Sequence, residues 1–278
     1  MSAIVVSSFT KCYENNIKAV DNISFSLIEN SIVGFVGKNG AGKSTTLRAM
    51  LNFIAPTSGQ ILVHNLDSVK DNVKIKERVS YLPSEVAYYD GLTGKELIDF
   101  CLKFTSKTEK DALELANYFE LDLNKIISNL SLGNRKKVGI ITAFLKDSDI
   151  FVFDEPTNGL DPIMQEKFFE MVTKKKACGA TIFLSSHNLI EIEKYCDRVI
   201  MIKDGKIFQD INMHEEMDKL EQWVHYVTKD GKKETFQFSG DPNELIKKLS
   251  NIDLSQIEIK NASVEEKFIK YYQKEGEL

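Results

Sequence analysis

Hydrophobic positions change their spacing several times along the chain, and each change predicts an element. Ile4-Val5-Val6 is a short apolar run, and Ile23 to Leu27 alternates apolar and polar residues, the mark of a half-buried antiparallel strand. Ile32 to Val36 is almost wholly apolar and suits the buried centre of a parallel sheet. Leu47, Met50, Leu51 and Ile54 then recur at helical spacing, which predicts a helix over Ser44 to Ile54. Pro56-Thr57-Ser58-Gly59 is a turn, Gln60 to His64 opens a strand, and residues 76 to 82 read as a further strand stopped by Pro83.

From Thr93 to Asn129 the pattern is helical, with Leu97, Ile98, Phe100, Cys101, Leu102 and Phe104 in one segment and Ala112, Leu113, Leu115, Ala116, Tyr118 and Phe119 in the next. A helix follows from about Arg135 to Leu145, and Ser131 stands where its N-cap belongs. Ile150 to Phe153 and Thr181 to Ser186 are buried strands separated by a helix that Gly159-Leu160-Asp161-Pro162 opens. Lys174-Lys175-Lys176 reads as the solvated end of that helix. Val199 to Ile202 and Lys206 to Phe208 form a hairpin about Asp204-Gly205. Beyond Ile211 the pattern becomes that of a small α/β unit. Strands Trp223 to Val227 and Thr235 to Phe238 pair, Asn243 to Leu249 is helical, Ile257 to Ile259 is a strand, and Ser263-Val264-Glu265-Glu266 is a capping box for a last helix reaching Tyr272.

Chemistry enters at Gly37-Lys38-Asn39-Gly40-Ala41-Gly42-Lys43-Ser44-Thr45, which satisfies G-x-x-x-x-G-K-[ST] between a strand and a helix. The glycines allow a tight turn whose N–H groups face phosphate oxygens, and the helix N-terminus adds partial positive charge. Lys43 is placed to reach the outer phosphates, Ser44 to ligate a Mg²⁺ ion that bridges them, and Thr45 to meet an inner phosphate. The expected fold is therefore α/β: a P-loop NTPase core with a mainly parallel sheet, an N-terminal antiparallel β part, a helical insertion at about 84–145 and a small C-terminal α/β extension. The domains are expected at 1–210, which binds nucleotide, and at 211–278, an accessory unit for contact or regulation.

Asp154 and Glu155 follow the buried strand Ile150 to Phe153 at its carboxyl end, where parallel sheets present ligands. Adjacent residues of an extended strand face opposite ways, so the two acids divide the work: Asp154 holds Mg²⁺ through water, and Glu155 orients and deprotonates an attacking water. His187 leaves the same sheet edge and is a candidate for a polar contact to the terminal phosphate. Ser131 is either only a cap or, with Gly133 and free N–H groups, part of a second anion site. Tyr13 is either simple packing or a platform for an adenine face.

Bulk composition narrows the partners. A net charge of -5 among 278 residues argues against a dedicated nucleic-acid binder. Cys12, Cys101, Cys178 and Cys196 contain no C-x-x-C pair and no secretory leader precedes them, so reduced thiols in the cytoplasm are expected. The longest nearly apolar run, Val138 to Leu145, lies far below the roughly 20 residues that span a bilayer.

In this order the sites resemble the ATP-binding cassette family, in particular the single-cassette ATPase subunits of bacterial exporters. The resemblance covers about residues 1 to 210, and Asp154-Glu155-Pro156-Thr157-Asn158-Gly159-Leu160-Asp161-Pro162 is its most specific stretch. It implies ATP hydrolysis with Glu155, His187 and Lys43 as catalytic residues. ATP would be held by Tyr13, Gly37, Asn39, Gly40, Gly42, Lys43, Ser44, Thr45 and Asp161, with Ser131 and Gly133 of the signature loop contacting the ATP of a second chain in a head-to-tail dimer. The L-S-G-G-Q signature appears as Leu130-Ser131-Leu132-Gly133-Asn134, which keeps the serine and the second glycine. The glutamine expected after the strand ending near Leu82 is replaced by Ser84 or Glu85, and Glu85 takes the place of a metal ligand beside Ser44 and Asp154. The C-terminal segment is similar to the extension of exporter-type subunits. The resemblance thus implies an ATPase on the cytoplasmic face of the membrane that drives a separate permease for export. Alternatives are a soluble cassette ATPase acting on ribosome or DNA, disfavoured by a single cassette without a heptad run, and a non-hydrolysing nucleotide sensor.

Overall fold

The computed structural model describes residues 1–14, 17–88, 90–213, 215 and 222–261. The predicted final helix, Ser263 to Tyr272, lies outside the described residues. The chain divides into Met1–Ile211 and Asn212–Leu278.

The first unit opens with β1 (Ser2–Cys12), β2 (Lys18–Ile28) and β3 (Ile32–Val36), then α1 (Lys43–Met50), β4 (Ser58–Val63) and β5 (Leu66–Asp67). Strands β2-β1-β4-β5 form an antiparallel sheet. Next come α2 (Asn72–Arg78), β6 (Val79–Leu82), α3 (Gly94–Leu102), α4 (Glu109–Tyr118), α5 (Leu132–Leu145) and β7 (Ile150–Asp154). The unit closes with α6 (Pro162–Ala177), β8 (Thr181–Ser186), α7 (Leu189–Tyr195), β9 (Arg198–Lys203) and β10 (Lys206–Asn212). A second sheet has the order β10-β9-β3-β8-β7-β6, with parallel pairing from β9 through β6. The expected α/β class, with antiparallel β first and a mainly parallel core, is what the molecule adopts.

Burial explains why the parallel strands read as unbroken apolar runs: β3, β7 and β8 are buried at every position. The two sheets of this unit are joined by Phe25 of β2, whose ring centroid lies 5.8 Å from Phe35 of β3 and 5.8 Å from Phe183 of β8. Between β6 and β7 the helices carry their own start signals. Thr93 with Glu96 begins α3 and Thr108 with Asp111 begins α4, each as a reciprocal capping box. Phe144 of α5 packs against Phe119, Phe151, Phe153 and Phe168, fastening that helix to β7 and α6.

Several boundaries differ from expectation. The helix predicted to reach Ile54 ends at Met50, where Asn52 takes a positive φ of 52° and turns the chain. Residues 76 to 78 belong to α2 rather than to the strand, since seven residues with one buried position leave no period to read. The lysines expected on a solvated helix end make tertiary contacts: Lys175 donates to the Phe144 carbonyl at 3.2 Å and Lys176 to Asp197 at 2.6 Å.

In the second unit, β11 (Gln222–Thr228), β12 (Lys233–Phe238), α8 (Pro242–Leu249) and β13 (Leu254–Asn261) follow in order. Its sheet has the order β12-β11-β13 and is antiparallel throughout. Val224 and Tyr226 of β11 pack with Leu245 and Leu249 of α8 to form a small separate core.

Candidate functional site

The loop between β3 and α1 owes its shape to glycines that nothing larger can replace. A Cβ on Gly37 would stand 2.4 Å from the Ile202 carbonyl oxygen, and one on Gly42, whose φ is +107°, 2.5 Å from that of Ala19. Gly205, in the turn between β9 and β10, donates to the Ala41 carbonyl at 3.1 Å and braces the loop from outside. The backbone is thus set in a phosphate-cradling form by its neighbours. Within it, Lys43 is 5% exposed and its ammonium donates to the Gly37 carbonyl at 2.6 Å.

The acids at the end of β7 reach the same place because β8 is the only strand between β3 and β7. Asp154 is fully buried and its Oδ1 accepts hydrogen bonds from Ser44 Oγ at 2.9 Å and from Ser185 Oγ at 2.7 Å. Its Oδ2 is buried with no hydrogen-bond partner, a costly state for a carboxylate unless a cation or water meets it. Glu155 departs from strand geometry with a φ of +47°, and its N–H donates to Ser185 Oγ at 3.0 Å. One of its carboxylate oxygens lies 3.1 Å from Lys43 Nζ and the other 2.8 Å from His187 Nδ1. The left-handed turn therefore swings Glu155 away from Asp154 and into the loop, as strained backbone at working sites often does.

Lys43, Ser44 and Glu155 line a cavity of about 630 Å³. Asn39, Gly40, Gly42, Lys43, Ser44 and Thr45 form one side, and Glu85 and Glu155 are also on its wall. The Tyr13 hydroxyl lies 3.5 Å from Thr45 Oγ1, the tyrosine is 44% exposed, and the Lys11 ammonium stands 5.4 Å from its ring centroid. Three expected site residues stand apart from this cavity. Ser131 caps α5, accepting from Asn134 N–H at 3.3 Å. Asp161 caps α6, accepting from Met164 N–H at 3.0 Å. Gly133 packs on the Gly159-Leu160-Asp161 segment, where an added Cβ would stand 2.6 Å from the Gly159 carbonyl oxygen.

Sequence reading missed Lys136, Arg135 and Glu191. Lys136 is 3% exposed, lines the cavity, and donates to the carbonyls of Pro83 at 3.1 Å and Ser84 at 2.9 Å. Burial pushes its ammonium down to about 8, opposed by the attraction of Asp154 and Glu155. Two lysines in a run beside an arginine look like a solvated helix start, and only the position of the loop after β6 turns one of them inward. Glu191 of α7 is buried, accepts from Thr157 Oγ1 at 2.9 Å, and is held above the usual carboxylate range by burial.

A strand, a glycine loop, a helix N-terminus and an acid pair on the neighbouring carboxyl ends of one parallel sheet define a P-loop nucleoside triphosphatase. Residues 20–158 match the family model described as ABC transporter. The chain is 35% identical over 217 residues to the bacitracin transport ATP-binding protein BcrA of Bacillus licheniformis, covering 76% of this chain and 70% of that protein. It is 31% identical over 217 residues to the SkfA peptide export ATP-binding protein SkfE of Bacillus subtilis, covering 76% and 90%. Among solved structures it resembles a dimeric post-hydrolysis ATP-binding cassette bound to ADP and Pi, with a TM-score of 0.69, 24% identity, and coverage of 76% and 98%. The chain belongs to the ABC transporter family. It is an ATP-binding ATPase subunit that serves a separate membrane permease, and no helix among its described residues is long and apolar enough to cross a membrane.

Proposed function

We propose that this subunit powers export, binding Mg²⁺-ATP on the cytoplasmic face of the membrane and closing head to tail on a second cassette, an identical chain. The observation that carries the ATPase part is that Lys43, Ser44 and Glu155 share one cavity wall, with Asp154 bonded to Ser44 and His187 to Glu155. Export is supported by the peptide export subunit among the relatives. The dimer is supported by Ser131 and Gly133, neither of which is on the wall of the chain's own cavity, and by the dimeric state named for the related cassette.

The donor set fits Mg²⁺: a hydroxyl at Ser44 and an Asp154 oxygen with no hydrogen-bond partner are hard oxygen ligands side by side. Ser44 and Asp154 would hold the ion, with Glu85 on the cavity wall as the remaining candidate. When bound, the ion would neutralise phosphate charge. Lys43 binds the terminal phosphates once a nucleotide draws its ammonium from the Gly37 carbonyl. Glu155 orients and deprotonates the attacking water, and His187 holds the carboxylate in place through its ring nitrogen. Tyr13 stacks on the base.

The test is to purify tagged Glu155→Gln chain with Mg²⁺ and ATP from detergent-solubilised cells and to identify what accompanies it by mass spectrometry. A stoichiometric polytopic membrane protein is the expected result. Ribosomal or DNA-bound partners without one would replace the transporter reading with that of a soluble cassette ATPase.

A further inference from the structure

The cavity has a second cationic wall, opposite in origin to the phosphate loop. Arg135 and Lys136 both line it from the start of α5. Neither makes an ion pair with a carboxylate among the described residues. Lys136 is 3% exposed, and its two hydrogen bonds, to the carbonyls of Pro83 and Ser84, leave one of its three N–H donors unused. The Nε of half-buried Arg135 is likewise buried with no hydrogen-bond partner. A desolvated ammonium whose hydrogen bonds go to neutral carbonyls is costly, and the cost is relieved when an anion arrives in contact with it.

The segment that Lys136 grips, Pro83-Ser84-Glu85, carries no glutamine, so neutral amide contacts to the metal and phosphate are not available from it. We propose that Lys136, aided by Arg135, reads the terminal phosphate of the nucleotide bound by this same chain, joining the loop after β6 to α5 through that contact. The inference rests on the ATP reading of the cavity and adds a phosphate-binding residue to it. Lys43 and the backbone of Gly40 to Ser44 address the phosphates from the loop side, whereas Lys136 meets the one end that distinguishes a triphosphate from a diphosphate. The same contact would register the presence of that phosphate at Ser84 and Glu85.

The experiment is calorimetric titration of the full chain, with Mg²⁺, using ADP and the non-hydrolysable β,γ-imido analogue of ATP. K136Q removes the charge, leaves two N–H donors on a side chain one bond shorter, and adds a carbonyl acceptor. It is expected to weaken the triphosphate analogue about tenfold or more while ADP affinity stays within twofold, and K136R to restore most of the preference. Equal weakening of both nucleotides, or none, would mark Lys136 as a structural tie and overturn the proposal. If K136Q does not fold, R135Q carries the same selective expectation and the same overturning result. A wild-type chain that binds neither nucleotide would remove the ATP reading and this inference with it. A wild type that prefers the triphosphate, with K136Q and R135Q retaining that preference, would remove this inference alone.

Discussion

Lys43 Nζ lies 3.1 Å from a carboxylate oxygen of Glu155, and the two side chains are 5% and 10% exposed. The lysine of the glycine loop and the acid that follows β7 are thus paired with each other. Each keeps the other's charge satisfied out of bulk water.

Glu155→Gln should leave nucleotide binding intact and lower turnover by roughly 10²-fold or more, through loss of general-base catalysis. Phosphate release in a single-turnover assay checks it. An unchanged rate would take Glu155 out of the mechanism.

His187→Ala removes the group that holds the second Glu155 oxygen at 2.8 Å. Turnover is expected to fall about 10-fold to 100-fold, less than for Glu155→Gln, with the KM for ATP little changed because His187 acts on the base. A rise in KM at constant kcat would instead place His187 on the phosphate.

Gly133→Ala puts a Cβ 2.6 Å from the backbone oxygen of Gly159. Overpacking of this kind costs about 1–3 kcal/mol, and here it also forces apart the start of α5 and the loop after β7. A lowered Tm with binding of a single nucleotide retained is expected, read by thermal melts and titration. An unaltered melt would show that the two loops part freely.

Glu191 is buried and its carboxyl is held above the usual range, mainly by desolvation and against the Thr157 hydrogen bond. A carboxyl with a raised folded-state value favours folding fully below its ordinary value, and that contribution is lost as pH rises through the folded one. Glu191→Gln should therefore melt higher than wild type at neutral pH, with the gap closing as pH falls toward the ordinary glutamate range. Tm measured across pH for both chains tests this. A gap that widens in acid would reverse the assignment.

The local pattern carried much of the fold because the features it records act at short range. An apolar run such as Ile150 to Phe153 is legible because every position of β7 is buried, and the phosphate loop because its glycines answer a backbone requirement that has no other residue as solution. The acids were legible for the same reason: two charges that end a buried strand must have partners. Short helices such as α2 and α7 escaped, since seven residues give too little of a 3.6-residue period to recognise.

By itself the sequence determined the class of fold, the phosphate loop, and the identity of the groups that could serve it. Only the tertiary structure decided who meets whom. His187 and Lys43 stand 144 positions apart in the chain, yet they share Glu155 because β3, β8 and β7 lie side by side. Lys136 faces inward, although its neighbours in sequence mark it as one more surface cation, because the carbonyls of Pro83 and Ser84 stand over it. Hydrogen bonds and desolvation depend on distance through space, and distance through space is set by the order of the strands.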